Sequence, residues 1–338
     1  MGNLSEKELF LRLGIGKIGF LSTYQKKVLE NKLDNISELA LLSKEDLIGI
    51  TGYKGKGKVP DFKLLPEMVK RDVAIIRAYS MGVLFTEDDL YPLLLSQIYD
   101  PPYLLFYRGN PEILSRPSVA IVGTRRPTGE GMRVSREFGS ALSAKGYSVV
   151  SGLALGIDTH AHSGVLEQGS SLTTAVLGSG LDTLYPSRNR QIGKRILERG
   201  GCICGEYYPG DTAQKWHFPQ RNRIISALSV ATVVIEAPAG SGALITADFA
   251  LEHNRDVFFH QLALEYEQKI GKKIQSDRSV FQYVEDGATV INTPEQLIEY
   301  LEDGFVKPDN NVTTGKEYGR KENNNREHKT KRSNSGYC

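Results

Sequence analysis

Glycines and small polar residues recur just after short apolar stretches of this sequence. They are Gly123, Thr124, Ser151, Gly152, Gly156, Gly178 and Gly180. Backbone amides beside glycines can approach a phosphate closely, and a helix that follows such a turn directs its positive end at the same place. Arg125 lies within the first of these turns. The pattern predicts a site that binds a phosphate-bearing ligand.

A second group of candidate residues lies in KWHFPQRNRIISALS, residues 215–229. Lys215, Arg221 and Arg223 supply positive charge, Asn222 supplies an amide, and Phe218 and Trp216 supply rings on which bases could stack. The apolar spacing after Arg223 predicts a helix that begins at about residue 221. Arginines are unfavourable at a helix start, so we expect either DNA phosphate or a neighbouring carboxylate to neutralise them. The alternative for Trp216 and Phe218 is packing in the core.

The sequence predicts no catalytic or metal site. Asp158, His160 and His162 in GIDTHAH are interpreted as structural, because histidines two apart on a helix point in different directions. The C-x-C pair of Cys202 and Cys204 lacks a second cluster of ligands. Neither a G-x-G-x-x-G turn nor a Walker A lysine motif is present, so no cofactor is expected.

The order of elements predicts an α/β fold. From residue 118, apolar strands alternate with helices at βαβ spacing, which indicates a Rossmann-like, doubly wound, mostly parallel sheet. The ends of its strands should bring the candidate loops to one edge. The predicted organisation is a helical module at 1–75, a connector packed on the core at 76–117, the Rossmann-like domain at 118–303 and a disordered basic tail at 304–338.

Composition narrows the class of protein further. The 338 residues carry a net charge of +2, but residues 118–230 hold 13 Lys and Arg against 8 Asp and Glu. A basic surface on this segment is therefore expected. Three cysteines argue against a disulfide framework, and no secretory signal or membrane span is apparent. We expect a cytoplasmic protein.

Several segments resemble the DNA-processing protein A family (DprA/Smf). They include AIVGTRRPTGEG, VVSGLALGIDTHAH, TAVLGSGLDTLYP, KWHFPQRNRIISALS and VVIEAPAGSGALITADFAL. The resemblance implies a homodimeric, non-enzymatic protein that binds single-stranded DNA, protects it and loads the RecA recombinase during natural transformation. It also implies that Arg125, Lys215, Phe218, Arg221 and Arg223 contact the DNA. We place the dimer interface at residues 243–260.

The sequence departs from the family pattern in three respects, and it leaves two rival functions open. DVFFHQLALEYEQKI stands where the family has a Pro-Gly turn, and SDRSVFQYVEDGATV lacks the family's G-x-N segment, so we expect one wall of the pocket to differ in shape. We also expect this chain to lack the winged-helix domain with which many members of the family end. One rival is a LOG-type phosphoribohydrolase, but APAGSGALITADFAL lacks that motif's double glycine and catalytic Glu, and Asp248 is a poor substitute. The other rival is a DNA-binding adaptor without RecA function.

Overall fold

The computed structural model describes residues 4–55, 61–270 and 278–304. The first of these ranges folds into short helices, as the sequence predicts. They are α1 (Glu6–Gly16), α2 (Thr23–Glu30), α3 (Ile36–Leu41) and α4 (Lys44–Thr51), followed by a 3-10 turn (Phe62–Leu64) and α5 (Leu65–Ala78). Ser5, Ser22 and Ser43 begin α1, α2 and α4 with capping boxes, which satisfy the free amides of those first turns.

The described residues form one nine-stranded sheet. Its strands are β1 (Gly82–Phe85), β2 (Leu104–Gly109), β3 (Ser118–Val122), β4 (Ser148–Ser151), β5 (Thr173–Val176), β6 (Cys202–Gly205), β7 (Ala231–Val234), β8 (Asp256–His260) and β9 (Thr289–Ile291). Their order is β1-β2-β6-β5-β4-β3-β7-β8-β9. Strands β3 to β9 pair in parallel, whereas β1 and β2 pair antiparallel and extend the β6 edge. The predicted doubly wound, mostly parallel sheet is confirmed.

Helices cover both faces of the sheet, which explains why its central strands β3, β4, β5 and β7 are fully buried. They are α6 (Leu93–Ser96), α7 (Gly129–Ala144), α8 (Ile157–Glu167), α9 (Arg190–Glu198), α10 (His217–Ala227), α11 (Gly242–Glu252), α12 (Gln261–Ile270), α13 (Val280–Glu285) and α14 (Pro294–Gly304), with 3-10 turns at Pro111–Ser115 and Ser187–Asn189. Within the described ranges, none of these helices is long and apolar enough to cross a membrane.

The helical module shares a hydrophobic core with the β2 side of the sheet. Tyr208 joins the two parts, because its hydroxyl donates to the Leu13 carbonyl at 2.6 Å and its ring packs edge-on against Phe106. Lys17 lies over the same ring at 3.9 Å and forms an ion pair with Asp72 at 2.6 Å. The segment 76–117, expected to be a connector, contributes β1 and β2 to the sheet itself. The predicted tail lies outside the described residues from 305 onward.

One local prediction about the candidate site is wrong. Helix α10 begins at His217, not at about residue 221, so Arg221 and Arg223 lie in its second turn. Pro219 is in the first turn, where the backbone N–H has no partner within the helix in any case. The proline therefore does not delay the start of the helix.

Candidate nucleic-acid interface

A cleft of about 700 Å³ lies where loops from five parallel strands meet. Strand β3 lies between β4 and β7, so the chain reverses its winding direction at this point. Ligands of doubly wound sheets bind at such a switch point. The cleft is lined by residues that follow β3, β4, β5, β6 and β7, including Gly123, Thr124, Arg125, Asp158, Tyr185, Lys215, Phe218, Arg221, Asn222, Ser241 and Gly242. The prediction that these loops share one edge is confirmed.

The loop after β3 exposes Arg125 to solvent, and hydrogen bonds from α12 hold this loop in place. The Tyr266 hydroxyl donates to the Arg126 carbonyl at 3.0 Å and lies 3.3 Å from the Thr124 hydroxyl. Thr124 Oγ1 in turn accepts from the Arg126 amide at 3.2 Å. Tyr266 belongs to the segment that departs from the family pattern. A residue of the departing segment, Tyr266, therefore stabilises the loop that carries Arg125.

A pair of aromatic rings lies beside the Arg125 side chain, and one of them contacts its guanidinium. Its guanidinium lies 5.3 Å from the centre of the Phe218 ring, within the range of a cation–π contact. The Tyr185 ring lies 5.6 Å from Phe218, tilted by 38°, and Tyr185 is 50% exposed. Sequence reasoning missed Tyr185, although an aromatic residue beside a proline, five residues after Gly180, was a usable signal. The three side chains form a partly exposed cation–aromatic cluster.

Arg221 lies at the bottom of the cleft and is buried. Its Nη1 donates to the carbonyls of Gly152, at 2.8 Å, and Val176, and its Nε donates to Asn222. Burial lowers the pKa of Arg221 to about 10, so the group stays charged at neutral pH. A side chain at position 152 would collide with this guanidinium. Gly152 is therefore a glycine because Arg221 fills the space beside it.

Asp158 is the acidic group whose charge acts most strongly on this arginine. Its Oδ2 accepts from the amides of Gly152 at 3.1 Å and Ala154 at 3.3 Å. Burial raises the pKa of the Asp158 carboxyl, and Arg221 and these amides act in the opposite direction. The carboxylate thus holds the loop after β4 in place, in agreement with its interpretation as a structural residue.

Arg223 lies outside the cleft, in a groove beside the helical module. Its two terminal nitrogens each contact a Glu206 oxygen at 2.7 Å. Burial acts to lower the pKa of Arg223, but Glu206 and Asp100, with a smaller contribution from Tyr207, together raise it. A carboxylate from a neighbouring loop thus neutralises this arginine, which was one of the two options considered from the sequence.

The remaining residues that the sequence predicts for the site line the cleft or a smaller recess beside it, or are buried in the interior. Gly178 and Gly152 line a smaller recess of about 70 Å³ beside Arg125 and Phe218. Ser151 is buried and donates to the Ile121 carbonyl at 2.6 Å. Gly180 is buried, and Gly156 has a φ of +84° where the loop passes close to Thr124. Asn222 Nδ2 donates to the Gly242 carbonyl at 3.0 Å, linking α10 to α11.

Two rings follow Lys215 in the sequence, of which Trp216 is exposed and His217 is buried. Trp216 is 62% exposed, so the alternative that it packs in the core is wrong. It lines the groove beside the helical module rather than the cleft, and it packs edge-on against His217. His217 is buried, and its Nδ1 lies 3.0 Å from the Gly178 carbonyl. This contact fixes the start of α10, so that Lys215 and Phe218 border the cleft.

The groups considered for metal binding or acid–base chemistry are dispersed. His162 is buried, and its Nδ1 lies 2.7 Å from the Thr173 hydroxyl. Cys202 and Cys204 are buried in β6, and burial raises the pKa of both thiols. Within the described ranges, no group of three or more His, Cys, Asp or Glu is placed to hold a metal ion.

Comparison with known proteins places the chain in a family. Residues 82–302 match the family model described as DNA recombination-mediator protein A. This match covers more than half of the chain and spans the sheet from β1 to α14. The chain therefore belongs to the DNA recombination-mediator protein A family.

Individual relatives agree with this assignment. The chain is 44% identical over 171 residues to the DNA processing protein DprA of Streptococcus pneumoniae, covering 51% of this chain and 60% of that protein. It is 42% identical over 219 residues to the protein Smf of Synechocystis, covering 64% of this chain and 52% of that one. The matched regions thus span little more than half the length of these curated relatives.

Two solved structures share the fold. DNA processing protein A from Streptococcus pneumoniae superposes with a TM-score of 0.67 at 32% identity, covering 86% of this chain and 97% of that one. A structure of the Helicobacter pylori protein, which concerns its single-stranded DNA binding mode, gives a TM-score of 0.56 at 27% identity. It covers 67% of this chain and 98% of that one.

The two cleft arginines should differ in their effect on stability. Arg221→Ala removes the donor for two buried carbonyls and the cation nearest to a buried carboxylate, so we expect a loss of about 3–5 kcal/mol in the free energy of unfolding. Arg125→Ala changes an exposed side chain and should cost less than about 1 kcal/mol. Urea unfolding measures both losses, because a change in the midpoint urea concentration at an unchanged slope reports a change in stability. Equal midpoints for the two variants would show that Arg221 does not hold the cleft together.

Proposed function

We propose that this chain binds single-stranded DNA in the cleft at the ends of its strands. The observation that carries the proposal is the convergence of Arg125, Lys215 and the Phe218–Tyr185 ring pair on one cleft. Exposed cations bind phosphates, and partly exposed rings offer stacking platforms worth roughly 1–3 kcal/mol per base. Bases are free to stack in this way only in an unpaired strand.

The helices that border the cleft also favour an anionic ligand. Among the described side chains, none caps the N-terminus of α8, α10 or α11. In contrast, the α7 terminus is capped by Thr128, which is itself held by Glu236. Uncapped N-termini leave backbone N–H groups and the positive end of the helix dipole available to a phosphate.

The family relationship supplies the biological role that we propose. We infer that the chain protects single-stranded DNA and loads RecA in recombination and natural transformation, as a cytoplasmic homodimer. The predicted dimer segment, 243–260, includes α11, where Leu251 is an exposed apolar side chain. The relatives named DNA processing protein and the single-stranded DNA binding of the Helicobacter pylori protein support this role.

We further infer that the protein is not an enzyme. Asp158 is engaged by backbone amides, and His162 is buried against Thr173. Asp248, the nearest substitute for the catalytic Glu of a LOG-type phosphoribohydrolase, contacts Tyr283 and Arg278 and is not among the residues that line the cleft. The absence of nucleobase release from AMP would agree with this inference, and release at a useful rate would favour the enzyme.

Replacing the exposed cations should weaken DNA binding without unfolding the protein. We expect wild type to prefer single-stranded DNA to a matched duplex and to lose affinity as salt rises. Arg125→Ala and Lys215→Ala should each bind more weakly, with the slope of log affinity against log salt shallower by about 0.7. Fluorescence anisotropy with a labelled oligonucleotide across a salt series measures both quantities.

The matched controls are Arg116→Ala and Lys145→Ala. Both residues are exposed, and they lie just before β3 and at the end of α7, near the opposite edge of the sheet. They should bind DNA as wild type does. If wild type binds no single strand at low salt, or if Arg125→Ala and Lys215→Ala bind like the controls, the cleft is not the DNA site.

The RecA role needs its own measurement. On single strands coated with single-stranded-DNA-binding protein, the wild-type chain should shorten the lag of RecA filament formation, and Arg125→Ala should shorten it less. A wild-type protein that binds the strand but leaves the lag unchanged would instead be a DNA-binding adaptor without RecA function.

A further inference from the structure

Helix α9 begins beside the cleft. The 3-10 turn Ser187–Asn189 follows Tyr185 and Pro186 and leads into α9. The Asn189 side chain donates to the Leu153 carbonyl at 2.8 Å and to the Thr159 hydroxyl at 2.7 Å, which ties the start of the helix to the loop after β4. The helix ends near Gly169, which follows α8, within reach of the Arg199 side chain. It therefore leads from the cleft toward the opposite edge of the sheet.

The exposed side of this helix is basic. Gly193 and Ile196 are buried against the sheet. The exposed cations of the turn and helix, here called the α9 basic face, are Arg188, Arg190, Lys194, Arg195 and Arg199. Glu198 is the only acid in residues 187–200, and it pairs with Lys194 at 3.4 Å. Arg188, Arg190 and Arg195 have no ion pair among the described residues.

This face accounts for the charge asymmetry seen in the sequence. Residues 118–230 carry 13 Lys and Arg against 8 Asp and Glu, a net of +5. The α9 basic face contributes five of those cations, and Glu198 is one of the acids, so this short stretch holds +4 of the net +5. A surface whose charges have one sign, and which begins at a ligand-binding cleft, extends the electrostatic field of that cleft.

We propose that the α9 basic face binds the phosphates of a single DNA strand where it leaves the cleft past Tyr185. This inference rests on the proposed function. The helix is about 13 Å long at 1.5 Å per residue, which is enough to follow several phosphates beyond the cleft. Arginine suits this role because its guanidinium can bind a phosphate through two hydrogen bonds. Continuity with the cleft favours DNA over an acidic protein as the partner.

The test compares a short and a long oligonucleotide. The triple variant Arg190→Gln, Lys194→Gln and Arg195→Gln removes the central charges and retains good helix formers. For an oligothymidylate of about 6 nucleotides, which fills only the cleft, the affinity should stay within about twofold of wild type. For one of about 30 nucleotides, affinity at low salt should fall on the order of tenfold, with a salt slope shallower by about 0.7 for each lost contact.

The control is a triple variant of equal charge, Arg116→Gln, Arg136→Gln and Lys145→Gln, whose positions lie before β3, within α7 and just after α7. It should bind both oligonucleotides as wild type does. If the α9 variant also binds both like wild type, or if the control loses as much affinity as the α9 variant, the α9 proposal is overturned while cleft binding stands. An equal loss for both lengths overturns it as well. Wild type that binds neither oligonucleotide refutes the proposed function and, with it, the α9 proposal.

Discussion

The buried guanidinium of Arg221 is the interaction on which the cleft depends. It bridges the carbonyls of Gly152 and Val176, which lie at the ends of neighbouring strands β4 and β5. A charge this deep is stable only where its donors are satisfied and an opposite charge is near. Gly152 leaves the space for it, and Asp158 supplies the charge. Because Arg221 belongs to α10, the same contacts position the first turn of that helix, which carries Phe218.

Arg223 anchors α10 on the side opposite to Arg221. Two residues apart on a helix, the two arginines point about 200° from each other. One therefore reaches the strand ends and the other reaches Glu206, next to the helical module. With α10 held on both sides, the exposed cations Arg125 and Lys215 are left free for a ligand. The arginines of the RNR segment thus hold the cleft in shape, and we propose that the cations on its rim supply the charge for binding DNA.

The sequence allowed the sheet and the location of the cleft to be predicted, but not the roles of individual arginines. Apolar strands at βαβ spacing define a parallel sheet, and a parallel sheet brings its loops to one edge. Which partner each arginine of α10 reaches depends on the rotation of the helix and on groups elsewhere in the fold: Arg221 contacts strand-end carbonyls and Arg223 contacts Glu206. Tyr266 was missed for the same reason. Strands β1 and β2 join the sheet through antiparallel, non-local pairing, which no local pattern reveals.

The most direct test of the cleft as a DNA site is photocrosslinking to a single strand that carries 5-iododeoxyuridine, with the crosslinked residues mapped by mass spectrometry. Iodouracil reacts efficiently with rings on which it stacks. The structure predicts crosslinks at Phe218 or Tyr185, and their loss in Arg125→Ala at the same protein concentration. Crosslinks confined to the helical module or to the opposite edge of the sheet, from a complex that is saturated with DNA, would contradict the cleft as the binding site.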